Sequence, residues 1–135
     1  MITVTCVCWG DKFPIEYVYN LKSMVEKNTT IDHKFVVLTD RPRKGLDYRI
    51  LKPGFQGWWN KLQLFDSFHD LGDRCFYLDL DTVITGNLDW LLKFDGDFLG
   101  IEDLGSINIH QRHLKNRLQS AVMSWTSSVG NQIWN

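Results

Sequence analysis

The sequence is poor in the features that define several protein classes. Cysteine is confined to Cys6, Cys8 and Cys75, an odd number within apparent strands, which excludes a disulfide framework. Cys6 and Cys8 point to one face of their strand, and no second Cys or His pair stands at zinc-finger spacing, so they read as small residues packing a strand. No run of about 18 apolar residues occurs, and Met1-Ile-Thr-Val-Thr5 carries neither a basic leader nor a long apolar core. The expectation is no membrane span and a cytoplasmic location. The formal net charge of -1 and the lack of a Lys/Arg stripe interleaved with aromatics argue against a nucleic-acid surface, except toward a mononucleotide. Repeats and low-complexity segments are also missing.

What is present is the composition of a globular chain. Hydrophobic residues make up 44% and charged residues 23%, with six Trp and eight Phe as large flat side chains suited to a pocket or an interface. A length of 135 residues fits one domain, 1-135, with its own core.

The informative stretch runs from Arg74 to Trp90. Cys75-Phe-Tyr-Leu78 is a continuous apolar run of the kind buried on both faces of a parallel sheet, and Asp79 and Asp81 follow at its C-terminal end. Open α/β sheets bind ligands at that end. Two acids one residue apart are costly to desolvate unless a positive charge sits between them, and a hard divalent cation with bound phosphate supplies one.

Around it the sequence alternates strands and helices. Ile2 to Trp9 reads as a strand; a helix follows from about Pro14 with Ile15, Val18, Leu21 and Val25 on one face; Lys34 to Thr39 is a second strand and Tyr48 to Leu51 a short third. If the strands are parallel, the turn Trp9-Gly-Asp-Lys-Phe13 lies on the same rim as the two aspartates. The cations of Arg41-Pro-Arg-Lys-Gly45 read as a solvated loop. From Trp58 the spacing predicts a helix with Trp58, Leu62 and Phe65 sharing a face, and with Lys61 near its start, where a cation opposes the helix dipole and invites an anion. Asn87 caps a short helix to Leu92, Phe94 to Ile101 holds a strand, and the segment through Ile107-Asn-Ile-His-Gln-Arg-His113 is unpatterned. Gln119 to Trp125 is a last strand, with no helix expected after it. Strands and helices in alternation argue an α/β sandwich with a mainly parallel sheet.

In order, these segments resemble a glycosyltransferase of the GT-A fold, in pattern the glycogenin and bacterial galactosyltransferase group of family 8. Val4-Thr-Cys-Val-Cys8 with Leu21-Lys-Ser-Met24, Trp58-Trp-Asn-Lys-Leu62, Phe76-Tyr-Leu-Asp-Leu-Asp-Thr-Val-Ile-Thr-Gly-Asn-Leu-Asp-Trp-Leu-Leu92 and Gln119-Ser-Ala-Val-Met123 carry the likeness. The resemblance implies a GT-A α/β/α sandwich and a metal-dependent transferase. Asp79 and Asp81 would hold Mn²⁺ or Mg²⁺ against the diphosphate of a nucleotide sugar, UDP-glucose or UDP-galactose. Leu80 would pass its backbone beside the ribose, Cys8, Trp9 and Phe13 would cradle the base, and Lys61 would help neutralise the leaving phosphates or orient the sugar. No catalytic base is assigned. Gln119 and Ala121 stand where the family has Asn and Gly, and no His-x-x-Gly-x-x-Lys-Pro segment is present to bring a third ligand, a role for which His110 and His113 are candidates. The missing segment and the apolar Ile133-Trp134 motivate a homodimer. Two other readings fit the acidic pair: a haloacid-dehalogenase-like phosphatase with Asp79 as nucleophile, and a donor-binding or assembly protein without catalysis.

Overall fold

A computed structural model describes residues 1-102 and 118-135. Six strands form one sheet in the order β3-β2-β1-β4-β6-β5. They are β1 (Ile2–Cys8), β2 (His33–Thr39), β3 (Asp47–Ile50), β4 (Arg74–Leu78), β5 (Phe98–Glu102) and β6 (Leu118–Thr126). β1 pairs in parallel with β2 and β4, and β2 with β3, whereas β6 runs antiparallel to both β4 and β5. Only β6 is therefore reversed. The expected α/β architecture with a mainly parallel sheet is the one observed.

Strand parity sorts the core into two layers. Val4, Cys6 and Cys8 of β1, with Phe76 and Leu78 of β4, face helix α1 (Glu16–Asn28), which buries Val18, Leu21 and Val25 against them. Those three recur at helical spacing, and Pro14 and Ile15 start the turn by accepting from Tyr17 and Val18. The opposite face carries Cys75 and Tyr77 of β4, Val36 and Leu38 of β2, and Met123 and Trp125 of β6. It is covered by a 3-10 helix, Gly57–Phe65, and by α3 (Ser127–Trp134). Cys6 and Cys8 share a face as the alternation required, and all three cysteines are free and buried.

Three sequence expectations change. The Trp58 segment is a 3-10 helix, not an α-helix, and its buried residues are Asn60, Gln63, Leu64 and Phe65 while Trp58, Trp59 and Leu62 stay exposed. A repeat of 3.0 residues replaces one of 3.6, so the face drawn through Trp58, Leu62 and Phe65 does not exist. A helix, α3, does follow the last strand, begun where the Thr126 hydroxyl accepts from the Val129 N–H. Trp134 is not a loose apolar end, because its ring lies 6.2 Å from that of Phe55 and under the Lys52 ammonium. Ile133 alone of that pair is exposed.

The chain after the acidic pair is held by its own bonds. Asp89, first residue of the short helix α2 (Asp89–Leu92), accepts from the Thr29 hydroxyl at 2.6 Å, the Thr30 N–H at 2.9 Å and the Thr30 hydroxyl at 2.7 Å. Those bonds hold its carboxyl below the usual carboxylate range. The Asn87 side chain accepts from the Asp89 N–H at 2.8 Å, an Asx turn; the expected Asn87 cap is not formed, because the capping position is Leu88, which makes no side-chain cap bond.

Candidate functional site

Strand order places the site. From β1 the chain passes through α1 to β2 on one side, and the next neighbour of β1 on the other side is β4. The sheet changes direction of growth between them, and at such a point the loops leaving the two strands part and leave a crevice. A cavity of about 310 Å³ opens there, lined on the β1 side by Cys8, Trp9, Lys12 and Phe13, on the β4 side by Tyr77, Asp79, Leu80 and Asp81, and on the third side by Gly57, Trp58 and Lys61. Cys8, Trp9, Phe13, Lys61, Asp79, Leu80 and Asp81, distant in sequence, thus meet in one place.

Asp79 is fixed through backbone and side chain. Its N–H donates to the Ala121 carbonyl at 2.9 Å, carrying the β4–β6 ladder one residue past the strand end, and its carbonyl accepts from Thr82 at 3.1 Å. Thr5 of β1 faces Tyr77 of β4, and alternation puts Tyr77 and Asp79 on the sheet face that the 3-10 helix covers. There the Tyr77 hydroxyl donates to Asp79 Oδ1 at 2.6 Å and Lys61 Nζ lies 2.6 Å from the same oxygen. Lys61 also donates to the Ser120 hydroxyl at 3.1 Å. Burial, first, and then the neighbouring Asp79 charge push the Tyr77 phenol far above its ordinary value, so it is a permanent donor. Leu80 buries its side chain in the α1 core, which fixes the turn between the two acids. Asp81 is exposed and takes part in no ion pair with a described residue.

The opposite rim is built differently. Phe13 packs 5.1 Å from the Tyr17 ring, with the Lys12 ammonium 5.4 Å from its centroid. Asp40, at the end of β2, accepts from the Gly10 N–H at 3.2 Å, and Gly10 takes φ +66, a left-handed turn that glycine adopts without strain. Arg41 binds Asp11 and the Gly10 carbonyl, and Arg43 donates to the Thr39 hydroxyl at 3.2 Å and toward Cys8 Sγ at 3.7 Å. Those cations brace the loop. Burial raises the Cys8 thiol, so Cys8 contributes shape and not a thiolate.

Lys12, Gly57, Trp58 and Tyr77 line the cavity without having been singled out as site residues. Tyr77 had one signal, its position two residues before Asp79 on the same face of a strand. Trp58 had one too, its place three residues before Lys61, a spacing that makes the two neighbours on a 3-10 helix and on an α-helix alike. His110 and His113 lie outside the described residues.

The donor set suits a hard cation left partly open. Among the described residues no group of three or more His, Cys, Asp and Glu converges, so these residues offer two carboxylates and no cage. Magnesium-like ions are commonly held that way, by one or two carboxylates together with substrate phosphates. Among the described residues Asp79 Oδ2 and both oxygens of Asp81 have no hydrogen-bond or ion-pair partner, and these are the oxygens that could take such an ion beside the Lys61 contact.

No family model matches the chain, and no curated protein matches its sequence. Solved structures do match. The galactosyltransferase LgtC in complex with donor and acceptor sugar analogs superposes with a TM-score of 0.67 at 16% identity, over 93% of this chain and 58% of that one. An active-site mutant of LgtC gives 0.67 at 15% identity, over 93% and 57%. The apo form of the glycosyltransferase GlyE from Streptococcus pneumoniae TIGR4 gives 0.62 at 14% identity, over 96% and 35%. The chain spans between 35% and 58% of the length of these structures. At such identities the likeness establishes the fold, which is GT-A-like.

Proposed function

We propose that this chain is the donor-binding part of a glycosyltransferase that takes a nucleotide sugar, UDP-glucose or UDP-galactose, with Mn²⁺ or Mg²⁺. The observation that carries the proposal is the meeting, at the crevice between β1 and β4, of Asp79 and Asp81 with Lys61, whose Nζ lies 2.6 Å from Asp79. Fold likeness to glycosyltransferase structures supports it.

In this reading the β1 loop receives the base. Phe13 offers a ring for it, and Trp9 and Cys8 shape the wall. Asp79 and Asp81 hold the divalent ion, and Leu80 keeps them apart. The ion, when bound, neutralises the negative charge that builds on the diphosphate as the sugar departs. Lys61 leaves Asp79 Oδ1 to donate to a phosphate oxygen, placing a second positive charge where the leaving group develops its own. Tyr77 and Ser120 keep Asp79 and Lys61 aimed while that exchange occurs. The chain offers no thiolate to the reaction, its cysteines being buried and free. Self-association through α3, where Ile133 is exposed, is compatible with this assignment but does not form part of the site.

Thermal shift with UDP-glucose, UDP-galactose and GDP-mannose, with and without Mn²⁺, tests the assignment. Stabilisation by a UDP-sugar that requires the ion and is lost in Asp79→Asn supports it. Indifference to every nucleotide sugar in the presence of Mn²⁺ contradicts it, and hydrolysis of a generic phosphate ester abolished by Asp79→Asn would instead identify a phosphatase.

A further inference from the structure

The 3-10 helix is inside out. Asn60 is 1% exposed and Gln63 0%, whereas Trp58 is 67% and Trp59 52% exposed. Large aromatics ordinarily bury and amides ordinarily stay in water, so the inversion has to be held by bonds. Gln63 accepts from the Lys52 N–H at 2.7 Å and donates to the Lys52 carbonyl at 3.1 Å and to Asn60 Oδ1 at 3.1 Å, while Asn60 donates to the Gly57 carbonyl at 3.0 Å. Each buried amide is thereby satisfied, which rigidifies the helix with its aromatic edge outward. The two indoles stack on each other at 4.2 Å with 24° between their planes, so Trp58 is preorganised in the open.

Its position narrows what it meets. In a 3-10 helix residues three apart eclipse, so Trp58 stands on the same edge as Lys61, one turn toward the helix start, and both line the cavity. Lys61 marks the diphosphate end through Asp79, and the base rim lies across the cavity at Trp9 and Phe13. With the base assigned to Trp9 and Phe13 and the diphosphate to Lys61 and Asp79, Trp58 is the exposed aromatic of the lining left for the sugar side. An indole face is flat, apolar and negative at its centre, and the C–H face of a pyranose, slightly positive and equally flat, is complementary to it. A phosphate or carboxylate is not.

We infer that Trp58 is the stacking platform for a carbohydrate acceptor, a hexopyranoside laid against the indole beside Lys61; this rests on the donor-site assignment above. Trp59 acts behind it as a brace. Because the ring is already stacked on Trp59, less side-chain ordering is lost on binding.

The test uses the whole chain labelled with ¹⁵N, in which six Trp give indole N–H resonances and Trp58→Phe identifies the one that matters. With UDP and Mg²⁺ present, the diamagnetic ion leaving nearby resonances sharp, methyl glucopyranosides and methyl galactopyranosides are titrated in turn, followed by vesicles of phosphatidylglycerol. The expected result is a saturable shift of the Trp58 resonance by at least one glycoside and none by vesicles. Trp58→Ala weakens that binding about tenfold, the worth of one aromatic contact, and lowers glycoside affinity more than UDP affinity; Trp58→Phe retains much of it. UDP binding with no glycoside shift at Trp58 overturns the inference and leaves the donor site standing. A Trp58 response to vesicles alone overturns it in favour of a membrane contact. Absence of both UDP and glycoside binding overturns the donor assignment along with it.

Discussion

Asp79 Oδ1 is shared by a phenol and an ammonium, and that sharing sets what single substitutions do. Tyr77→Phe removes a charge-assisted hydrogen bond of about 1.5-3 kcal/mol at most; affinity for UDP with Mn²⁺ is expected to drop by calorimetry without loss of fold. Lys61→Met has two opposite effects. It removes a cation that competes with a metal for Asp79, so Mn²⁺ alone binds more tightly, and it removes a phosphate donor, so UDP in the presence of Mn²⁺ binds more weakly. Calorimetric titration of each ligand reads the two signs, and equal signs would refute the exchange of partners proposed for Lys61. His69 gives a pH signature away from the site. Burial holds its imidazole below its ordinary value of about 6.5, and the nearby Lys52 and Arg49 charges lower it further against the pull of Asp66. The folded state then binds fewer protons than the unfolded one, so stability is full above about 6.5 and falls as pH drops below it. Urea unfolding measured down through that range should show the loss, and His69→Gln should flatten it. Asp66, whose burial is outweighed by Lys52 and the Phe68 N–H, sits below its ordinary 3.8, so its own contribution is lost only in stronger acid. At this scale the acids and Trp9 were legible as rim residues, because polar or aromatic residues directly after a buried apolar run have few structural reasons to be there, and Lys61 as a cation near a helix start that invites an anion. Tyr77 was not, since a Tyr in a buried strand reads as core until its hydroxyl is seen.

Among the elements, the 3-10 helix carries the most weight and was the least legible. Its residues fit an α-helical stripe through Trp58, Leu62 and Phe65, but the competing hydrogen bonds of Asn60 and Gln63 turn it onto a different edge. Gln63→Leu is predicted to cost about 1-3 kcal/mol, read from the urea midpoint, because it leaves the Lys52 N–H and carbonyl unpaired inside the protein. If Gln63→Leu were neutral, the buried amides would not be what holds the helix. Strands β1, β2 and β4 were plain from uninterrupted β-branched and apolar runs, and α1 from Val18, Leu21 and Val25. Helix α3 was hidden: Ser127, Ser128, Gly130 and Asn131 are weak helix formers, and its start depends on the Thr126 cap and on packing against the 3-10 helix.

For the whole molecule, alternation of strands and helices predicted the mainly parallel sheet, while the reversal of β6 followed from no local pattern. That reversal matters, because an antiparallel β6 delivers the Ala121 carbonyl to Asp79 and Ser120 to Lys61. None of the described helices is long and apolar enough to cross a membrane. If the two acids at the crevice grip a divalent ion on a nucleotide diphosphate, a crystal structure with UDP and Mn²⁺ will show an anomalous manganese peak between the Asp79 and Asp81 carboxylates, the base beside Phe13, and the Lys61 ammonium moved from Asp79 to a phosphate. Manganese absent from that position, with the Lys61–Asp79 pair intact and no UDP in the cavity, would contradict it.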